Sequence, residues 1–279
     1  MKRISKFIAL CLSIILALSL CACGNKEPVQ GALELPATPV ADAPVTVTMT
    51  EEEHAEMMAA YQLALQDFAF SHVLPDGTEF ELLEGFGYME ENAFAICDVD
   101  NDGAEELLIQ FNTAPMAGLT EYVFHYASGV VSEQMHGFPG NNYYLNNIVL
   151  APWSHNHTYS SDFWPYSVFA YRSATDTYEN VAQVEAWDKT VSQVSYHGES
   201  RFPSDKDDGS GVVYLMTMDG ETRVFNTTEY ELWQQLTFGG SADQFLPNED
   251  ASHATGTAPL HDIPWQDMTE QNINGLVTE

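Results

Sequence analysis

The chain has 279 residues, of which 41 are acidic and 9 are basic, and its formal net charge at pH 7 is −32. Binding to phosphate groups requires clustered Lys and Arg, so this composition excludes nucleic acid as a partner and makes anionic lipid headgroups repel the folded body. A hydrophobic content of 45% favours a globular chain over a disordered one.

The amino-terminal segment has the pattern of a secretory leader. A short basic start precedes an apolar run over residues 7–20, which is too short for a comfortable membrane span. The run ends in Leu-Cys-Ala-Cys at residues 20–23, which resembles the lipobox of bacterial lipoproteins. The resemblance implies cleavage before Cys23 and attachment of diacylglycerol to its sulfur. We therefore predict a protein that is lipid-anchored at the extracellular face of the cell membrane, with a single membrane-spanning anchor as the alternative.

The processed chain would keep Cys97 as its free cysteine, so no intramolecular disulfide is expected. Residues 24–49 contain four prolines and little hydrophobic periodicity, which predicts a flexible tether. The predicted organisation is a leader at 1–22, the lipidated cysteine and tether at 23–49, and a single domain at 50–279.

A helix is predicted to begin at Thr50, because Thr50 and Glu53 have the spacing of a capping box. An apolar stripe follows at helical spacing and consists of Met58, Tyr61, Leu65, Phe68 and His72. The sequence Leu-Pro-Asp-Gly at 74–77 is typical of a turn and predicts the end of the helix. At this place His72 is expected to be a boundary residue rather than a metal ligand.

From about residue 90 the apolar residues follow the pattern of β-strands. Strands are predicted at 93–97, 107–111, 120–126, 129–135, 143–150, 167–172, 180–187, 211–218 and 222–226. Because strands follow strands without intervening helices, we predict an α+β fold, mostly antiparallel β-sheet with an N-terminal helix and short C-terminal helices. Those last helices are expected at 227–236 and 268–276, and an irregular loop is expected at 239–262.

The segment CDVDNDGAEELL, residues 97–108, contains five acidic side chains within nine positions. Numbered from Asp98, its acids occupy positions 1, 3, 5 and 9, and a glycine occupies position 6. Calcium takes roughly six to eight oxygen ligands, and a curled loop can point alternate side chains inward. We predict a structural calcium site, with a solvated acidic turn as the alternative. The predicted ligands are Asp98, Asp100, Asp102, Glu106 and the backbone carbonyl of Ala104.

This loop matches an EF-hand as far as position 9, but Ile109 stands at position 12, where an EF-hand has glutamate. Its β-type flanks make it more similar to the calcium loops of FG-GAP and VCBS repeats, of which one good copy is present. More widely, FAICDVDNDGAEELLI, TEYVFHYASG and DMTEQNI resemble segments of exported lipoproteins of gut Firmicutes. The resemblance implies a calcium loop and brings no established activity with it.

Two weaker metal patterns occur elsewhere. The turn at 205–209 has aspartates at alternate positions but lacks a closing carboxylate, so it is a lesser candidate for a second ion. His155 and His157, with Asp162 beyond them, could share a zinc ion on a strand. Their Ser, Asn and Thr neighbours favour a polar loop instead.

Residues 138–171 combine ten aromatic side chains with Asn, Ser, His and Asp, and they contain no Lys, Arg or Glu. Such mixtures are typical of sugar-binding surfaces, and the alternative is that the aromatic residues fill the core of a sheet. The core alternative concerns Trp153, Phe163, Trp164, Tyr166 and Phe169. The candidate ligand-binding residues are Trp153, His155, His157 and Trp164.

Three functions stay open on the sequence alone. The leading one is a calcium-stabilised binding or interaction module, expected to be a monomer, whose partner would be a glycan or a cell-surface protein. The second is a glycan- or solute-binding protein that uses residues 138–171, and the third is an unrecognised extracellular hydrolase. The sequence lacks G-x-S-x-G, H-E-x-x-H, C-x-x-C and a phosphate loop, which favours a protein without a catalytic site.

Overall fold

The computed structural model of the chain describes residues 37–155, 163–191, 201–238 and 261–277. The described residues form two antiparallel sheets, an N-terminal helix and short helices near the C-terminus, which confirms the predicted α+β class. The predicted leader and Cys23 lie outside the described residues. Within those ranges, no helix is both long enough and apolar enough to cross a membrane.

Helix α1 (Glu51–Gln66) begins at the predicted capping box. Thr50 Oγ1 accepts a hydrogen bond from the Glu53 N–H at 3.2 Å, and the Thr50 N–H donates to Glu53 Oε2 at 2.8 Å. The helix continues into a π-helical segment (Asp67–Ser71) and ends at His72, whose φ of 57° lies in the left-handed region. His72 therefore marks the boundary of the helix, as predicted, and its ring lies against Phe80.

The first sheet has the strand order β11-β1-β2-β3-β4. Its strands are β1 (Ala93–Cys97), β2 (Glu106–Phe111), β3 (Thr120–Ala127), β4 (Val130–Gly137) and β11 (Gln266–Asp267). One face of this sheet is covered by α1 and by α3 (Glu270–Gly275), through contacts of Phe94, Leu107 and Phe124 with Tyr61 and Ile273. Apolar burial of this kind is the main source of stability for a sheet packed against helices.

The second sheet has the strand order β10-β9-β8-β7-β6-β5. Its strands are β5 (Asn142–Tyr143), β6 (Ile148–Pro152), β7 (Tyr166–Arg172), β8 (Thr177–Asp188), β9 (Val212–Met218) and β10 (Glu221–Phe225). Helix α2 (Thr227–Phe238) packs on this sheet, and its Tyr230 and Trp233 belong to one buried cluster with Val168, Val184 and Met216.

The prediction of one strand at 143–150 is wrong, because the chain makes a tight turn in its middle. The Asn147 N–H donates to the Tyr144 carbonyl at 2.9 Å, and the Tyr144 N–H donates to the Ile148 carbonyl at 3.0 Å. Asn147 has a φ of 61°, a left-handed conformation that asparagine tolerates better than most residues. The turn separates β5 from β6 and makes the two strands an antiparallel pair.

A third buried cluster joins the two sheets. It combines Ala95, Leu108 and Val123 of the first sheet with Tyr143, Val149, Tyr171 and Tyr178 of the second. The segment before α1 lies along this junction, since the Asp42 N–H donates to the Tyr171 carbonyl at 3.0 Å and the Val47 N–H donates to the Asp102 carbonyl at 2.7 Å. The later part of the predicted tether is therefore hydrogen-bonded to the domain.

Glu121 of β3 is a buried acid that the sequence did not single out; 1% of it is exposed. Its Oε1 accepts from the Tyr143 hydroxyl at 2.6 Å and from Asn141 Nδ2 at 3.0 Å. Its Oε2 accepts from Gln110 Nε2 at 2.8 Å and from the Gly140 N–H at 3.0 Å. One carboxylate thus ties two strands of the first sheet to the start of the second.

Candidate metal centre

The acidic segment forms the connection between β1 and β2, so strands flank it on both sides. This arrangement agrees with the predicted strand-loop-strand and differs from the helix-loop-helix of an EF-hand. The loop curls through positive φ values at Asn101 (61°) and Gly103 (97°). A side chain on Gly103 would place its Cβ 3.0 Å from the Val47 carbonyl oxygen, so both conformation and space require glycine there.

Three carboxylates of the loop converge. One carboxylate oxygen each from Asp98, Asp100 and Glu106 lie within 4.8 Å of one another. Asp100 and Glu106 are almost fully buried, with exposed fractions of 0% and 2%. Among the described residues, this is the one group of three or more His, Cys, Asp or Glu residues that could hold a metal ion.

Backbone N–H groups hold these carboxylates in place. Asp98 Oδ2 accepts from the Gly103 N–H at 3.0 Å, and Asp100 Oδ1 accepts from the Asp102 N–H at 3.1 Å. Glu106 Oε2 accepts from the Val99 N–H at 2.8 Å. Each of the three side chains is therefore oriented by an N–H group of the loop itself.

Two buried oxygen atoms at this place have no hydrogen-bond partner among the described residues, Asp98 Oδ1 and Gln134 Oε1. Buried polar atoms are nearly always paired, so an orphaned carboxylate oxygen beside two further carboxylates calls for a positive partner. The donor set of the three residues is made of oxygen alone, which suits a hard cation better than zinc or copper. The residues present thus fit a hard metal ion.

The raised pKa values of two carboxylates in the cluster also agree with binding of a cation. Burial, followed by the nearby carboxylate of Asp102, raises the pKa of Asp100 to about 7. Burial, followed by the charge of Asp100, raises the pKa of Glu106 well above its ordinary value. Three carboxylates this close repel one another unless protons or a cation compensate their charge.

The loop also contacts the second sheet. Asn147 Nδ2 donates to the Asp100 carbonyl at 2.6 Å, and the Tyr178 hydroxyl donates to the Val99 carbonyl at 3.2 Å. Gln134 of β4 bridges the loop to the β7–β8 turn, because its Nε2 donates to Asp100 Oδ2 at 3.1 Å and to Asp176 Oδ1 at 2.9 Å. An ion in this loop would therefore sit where both sheets meet.

The other two predicted ligands lie in the same loop but outside the group of three. Asp102 is 7% exposed, and its Oδ1 accepts from the Ala104 N–H at 2.6 Å. Asp102 is not one of the residues whose oxygens lie within 4.8 Å of each other. The roles of Asp102 and of the Ala104 carbonyl as ligands stay predictions.

In the lesser candidate turn at 205–209, Asp207 and Asp208 accept hydrogen bonds from backbone N–H groups. Asp207 Oδ1 accepts from the Gly209 N–H at 3.0 Å and from the Gly211 N–H at 2.9 Å. Asp208 Oδ2 accepts from the N–H of Thr228 at 3.2 Å, in the first turn of α2. Asp207 thus stabilises the turn itself, and Asp208 connects the turn to the start of that helix.

The four candidate ligand-binding residues are only partly brought together. Trp153 and His155 line one cavity of about 340 Å³, whereas Trp164 is half-buried and donates its Nε1–H to the Trp153 carbonyl at 2.6 Å. His157 and Asp162, and with them the zinc alternative, lie outside the described residues. Of the aromatic residues discussed above, Tyr166 belongs to the core, and Phe163 packs against it.

Four residues contact or adjoin the loop but were not predicted as part of the site: Gln134, Asn147, His125 and Asp176. Each lies at least 19 residues from the loop and has no local motif.

Comparison of the chain with protein-family models, with curated proteins and with solved structures finds no match. The fold and the site together define the class of protein: a two-sheet α+β domain with an acidic cluster that could hold a metal ion.

Proposed function

We propose that this protein is a surface-anchored lipoprotein whose domain is stabilised by calcium and acts as a binding or interaction module. The observation that carries the calcium part is the convergence of Asp98, Asp100 and Glu106, together with the buried Asp98 Oδ1 that has no hydrogen-bond partner among the described residues. The lipobox-like sequence ending at Cys23 supports the anchor. The acidic composition supports a partner other than nucleic acid.

Calcium is favoured over other hard cations by the shape and place of the site. Calcium accepts irregular arrangements of carboxylate and carbonyl oxygens, whereas magnesium demands a near-ideal octahedron and keeps its waters. Extracellular calcium modules bind with dissociation constants of about 10⁻⁴ to 10⁻³ M, which matches permanent occupancy outside the cell. Asp98, Asp100 and Glu106 would hold the ion, which would neutralise their charge and secure the junction of the two sheets.

The first test is a thermal melt of the protein in chelator and in about 2 mM calcium. With a dissociation constant near about 10⁻⁴ M, calcium adds about 1.8 kcal/mol, or roughly 4–7 °C in a domain of this size. Magnesium at the same concentration is expected to raise the melting temperature less. Equal melting temperatures in chelator and in calcium would refute the proposal.

The calcium effect is expected to grow with pH. Without calcium, the raised pKa values of Asp100 and Glu106 mean that the folded state holds protons which the unfolded state releases. For Asp100 this contribution to stability is present below the unfolded pKa of about 4 and is lost as pH rises through the folded pKa of about 7. The contribution of Glu106, whose folded pKa is also raised, is lost in the same direction as pH rises. Calcium favours the ionised carboxylates, so it offsets this loss.

Melts in chelator and in calcium between about pH 5 and about pH 8 test this dependence. The difference in melting temperature between the two conditions should widen as pH rises. A difference that stays constant across the range would contradict the assignment of the ion to these buried carboxylates.

A second candidate, a glycan-binding protein, is supported by the cavity of about 340 Å³ beside β6. Phe138, Trp153 and Phe169 line it together with the polar side chains of His136 and Ser167. Ser167 Oγ accepts from Trp153 Nε1 at 2.9 Å, which fixes the indole ring. A fixed aromatic face with polar neighbours is what stacking on a sugar ring requires.

Tryptophan fluorescence during titration with neutral oligosaccharides tests this second candidate. Saturable quenching that disappears in Trp153→Ala and persists in Trp164→Phe would support it. Quenching that is the same in both variants, or absent in the wild type, would exclude this cavity as a glycan site.

A further inference from the structure

Residues 37–49, which we call the strap, cross the domain in front of α1 without forming a helix or a strand, and none of them is buried. Val40 and Val45 are 72% and 68% exposed. Ala41 and Met49 are partly buried against the apolar clusters of the domain. Because the strap buries little apolar surface, its polar contacts must contribute much of what holds it in place.

The first anchor of the strap is the end of β7 and the turn that follows it. Arg172 Nη1 donates to the Val40 carbonyl at 2.8 Å, and the Asp42 N–H donates to the Tyr171 carbonyl at 3.0 Å. In the other direction, the Ser173 N–H donates to Asp42 Oδ2 at 3.1 Å. This anchor belongs to the second sheet and contains no residue of the acidic loop.

The second anchor of the strap is the acidic loop itself. The Val47 N–H donates to the Asp102 carbonyl at 2.7 Å. The loop and the strap also approach closely at Gly103, where a Cβ would lie 3.0 Å from the Val47 carbonyl oxygen. Asp102 and Gly103 lie between Asp100 and Glu106 in the sequence, so the strap rests on the backbone that the converging carboxylates hold in its curl.

The charge state of the loop should therefore decide whether the second anchor holds. Without a cation, repulsion among Asp98, Asp100 and Glu106 favours a more open loop, in which the carbonyl that accepts from the strap is displaced. A bound cation draws the three carboxylates together and fixes the curl. Segments with few buried apolar contacts open locally at a low cost in free energy, so a change in one anchor is sufficient to release the strap.

We propose that the strap is a calcium-dependent device, docked on the domain while the loop holds its ion and released when the ion leaves. The proposal rests on the calcium site put forward above and adds a regulatory consequence to it. Calcium would thereby set how many residues of the predicted tether are free. Coupling between two sites is reciprocal, so a strap that docks poorly must also weaken calcium binding.

Hydrogen exchange of single amides in the purified protein, in chelator and in about 2 mM calcium, tests the release of the strap. The Asp42 and Val47 N–H groups are the readout, because each is bonded to a carbonyl outside the strap. Both are expected to exchange at least about fivefold faster in chelator. The Leu74 N–H, bonded to the Thr78 carbonyl at 2.8 Å in a turn away from the strap, is the control and should not change.

The two amides distinguish a strap from a local change in the loop. Faster exchange at Val47 alone would overturn the proposal, because the Asp42 N–H is bonded to β7 and not to the loop. Unchanged exchange at both amides while calcium is bound would also overturn it and would leave the calcium centre in place. Absence of bound calcium would overturn both proposals.

Equilibrium dialysis of Asp42→Ala against calcium tests the coupling in the reverse direction. The substitution removes the carboxylate that accepts from the N–H and the hydroxyl of Ser173, and it leaves the loop intact. The dissociation constant for calcium should rise about two- to fivefold. Asp76→Ala is the matched control, because Asp76 accepts from the N–H and the hydroxyl of Thr78 in the same way, outside the strap. Equal calcium affinities of the two variants would overturn the strap.

Discussion

Replacing Asp98 and Asp100 together by asparagine is expected to abolish the rise in melting temperature that calcium produces. Each asparagine keeps the size of the side chain and one acceptor oxygen, so the hydrogen bonds from the Gly103 and Asp102 N–H groups can persist. Two of the three converging negative charges are lost, and with them most of the attraction for a divalent cation. The expected change is the loss of roughly 4–7 °C of calcium-dependent stabilisation.

The same double substitution should behave differently without calcium. In chelator it removes repulsion among buried carboxylates, so the variant is expected to melt at or above the temperature of the wild type. A matched control is Asp76→Asn with Asp219→Asn, which removes two charges from exposed turns outside both candidate ion sites and should keep the full calcium response. A double loop variant that retains the calcium response would contradict the assignment of the ion to this loop.

Replacing Glu121 by glutamine is expected to produce the largest loss of stability that does not involve the metal centre. The carboxylate accepts four hydrogen bonds from Tyr143, Asn141, Gln110 and the Gly140 N–H. A glutamine amide group would turn its own N–H atoms toward two of these donors, which leaves buried donors unpaired. The expected cost is about 2–4 kcal/mol, because each unpaired buried group costs about 1–3 kcal/mol.

Chemical denaturation of wild type and variant measures this cost, with Glu221→Gln as the control. Glu221 also lies on a strand, but its side chain is exposed and forms an ion pair with the exposed Arg223, at 3.1 Å. Its replacement should change the free energy of unfolding by less than about 0.5 kcal/mol. If Glu121→Gln were as mild as this control, the buried network would not be what joins the sheets at this edge.

Local sequence signals predicted the local features of this fold well. The capping box at Thr50 depends on two residues three positions apart, and the helix begins there. The strands predicted at 211–218 and 222–226 leave Asp219-Gly220 between them, a dipeptide typical of tight hairpins; it adopts positive φ values of 51° and 76° and joins β9 to β10. Neighbouring residues determine such features, so the sequence is sufficient to place them.

Features that depend on distant residues could not be predicted in this way. Alternating apolar residues indicate strands, but they do not say that the strands divide into two sheets, because that depends on pairing across the chain. The turn at Leu145–Asn147 was hidden inside an apolar stretch and separates β5 from β6. The same limit applies to Glu121, whose polar partners lie up to 22 residues away.

In the candidate site, too, the local features were predicted from the sequence and the contacts with distant residues were not. The spacing of acids in residues 98–106 predicted that carboxylates of one loop would converge, and three of them do. Gln134 and Asp176 reach the loop from β4 and from the β7–β8 turn, and only the tertiary fold brings them there. The place of the loop at the junction of two sheets therefore emerges from the structure and explains why an ion there would stabilise the whole domain.

The most direct test of the calcium centre is to count the bound ions. Equilibrium dialysis of the protein against radioactive calcium, at about neutral pH and in about 150 mM salt, measures stoichiometry and affinity together. We expect one ion per chain, with a dissociation constant of about 10⁻⁴ M, and none in the Asp98→Asn, Asp100→Asn variant. Binding that is absent in the wild type, or equal in the variant, would contradict a calcium centre in the β1–β2 loop.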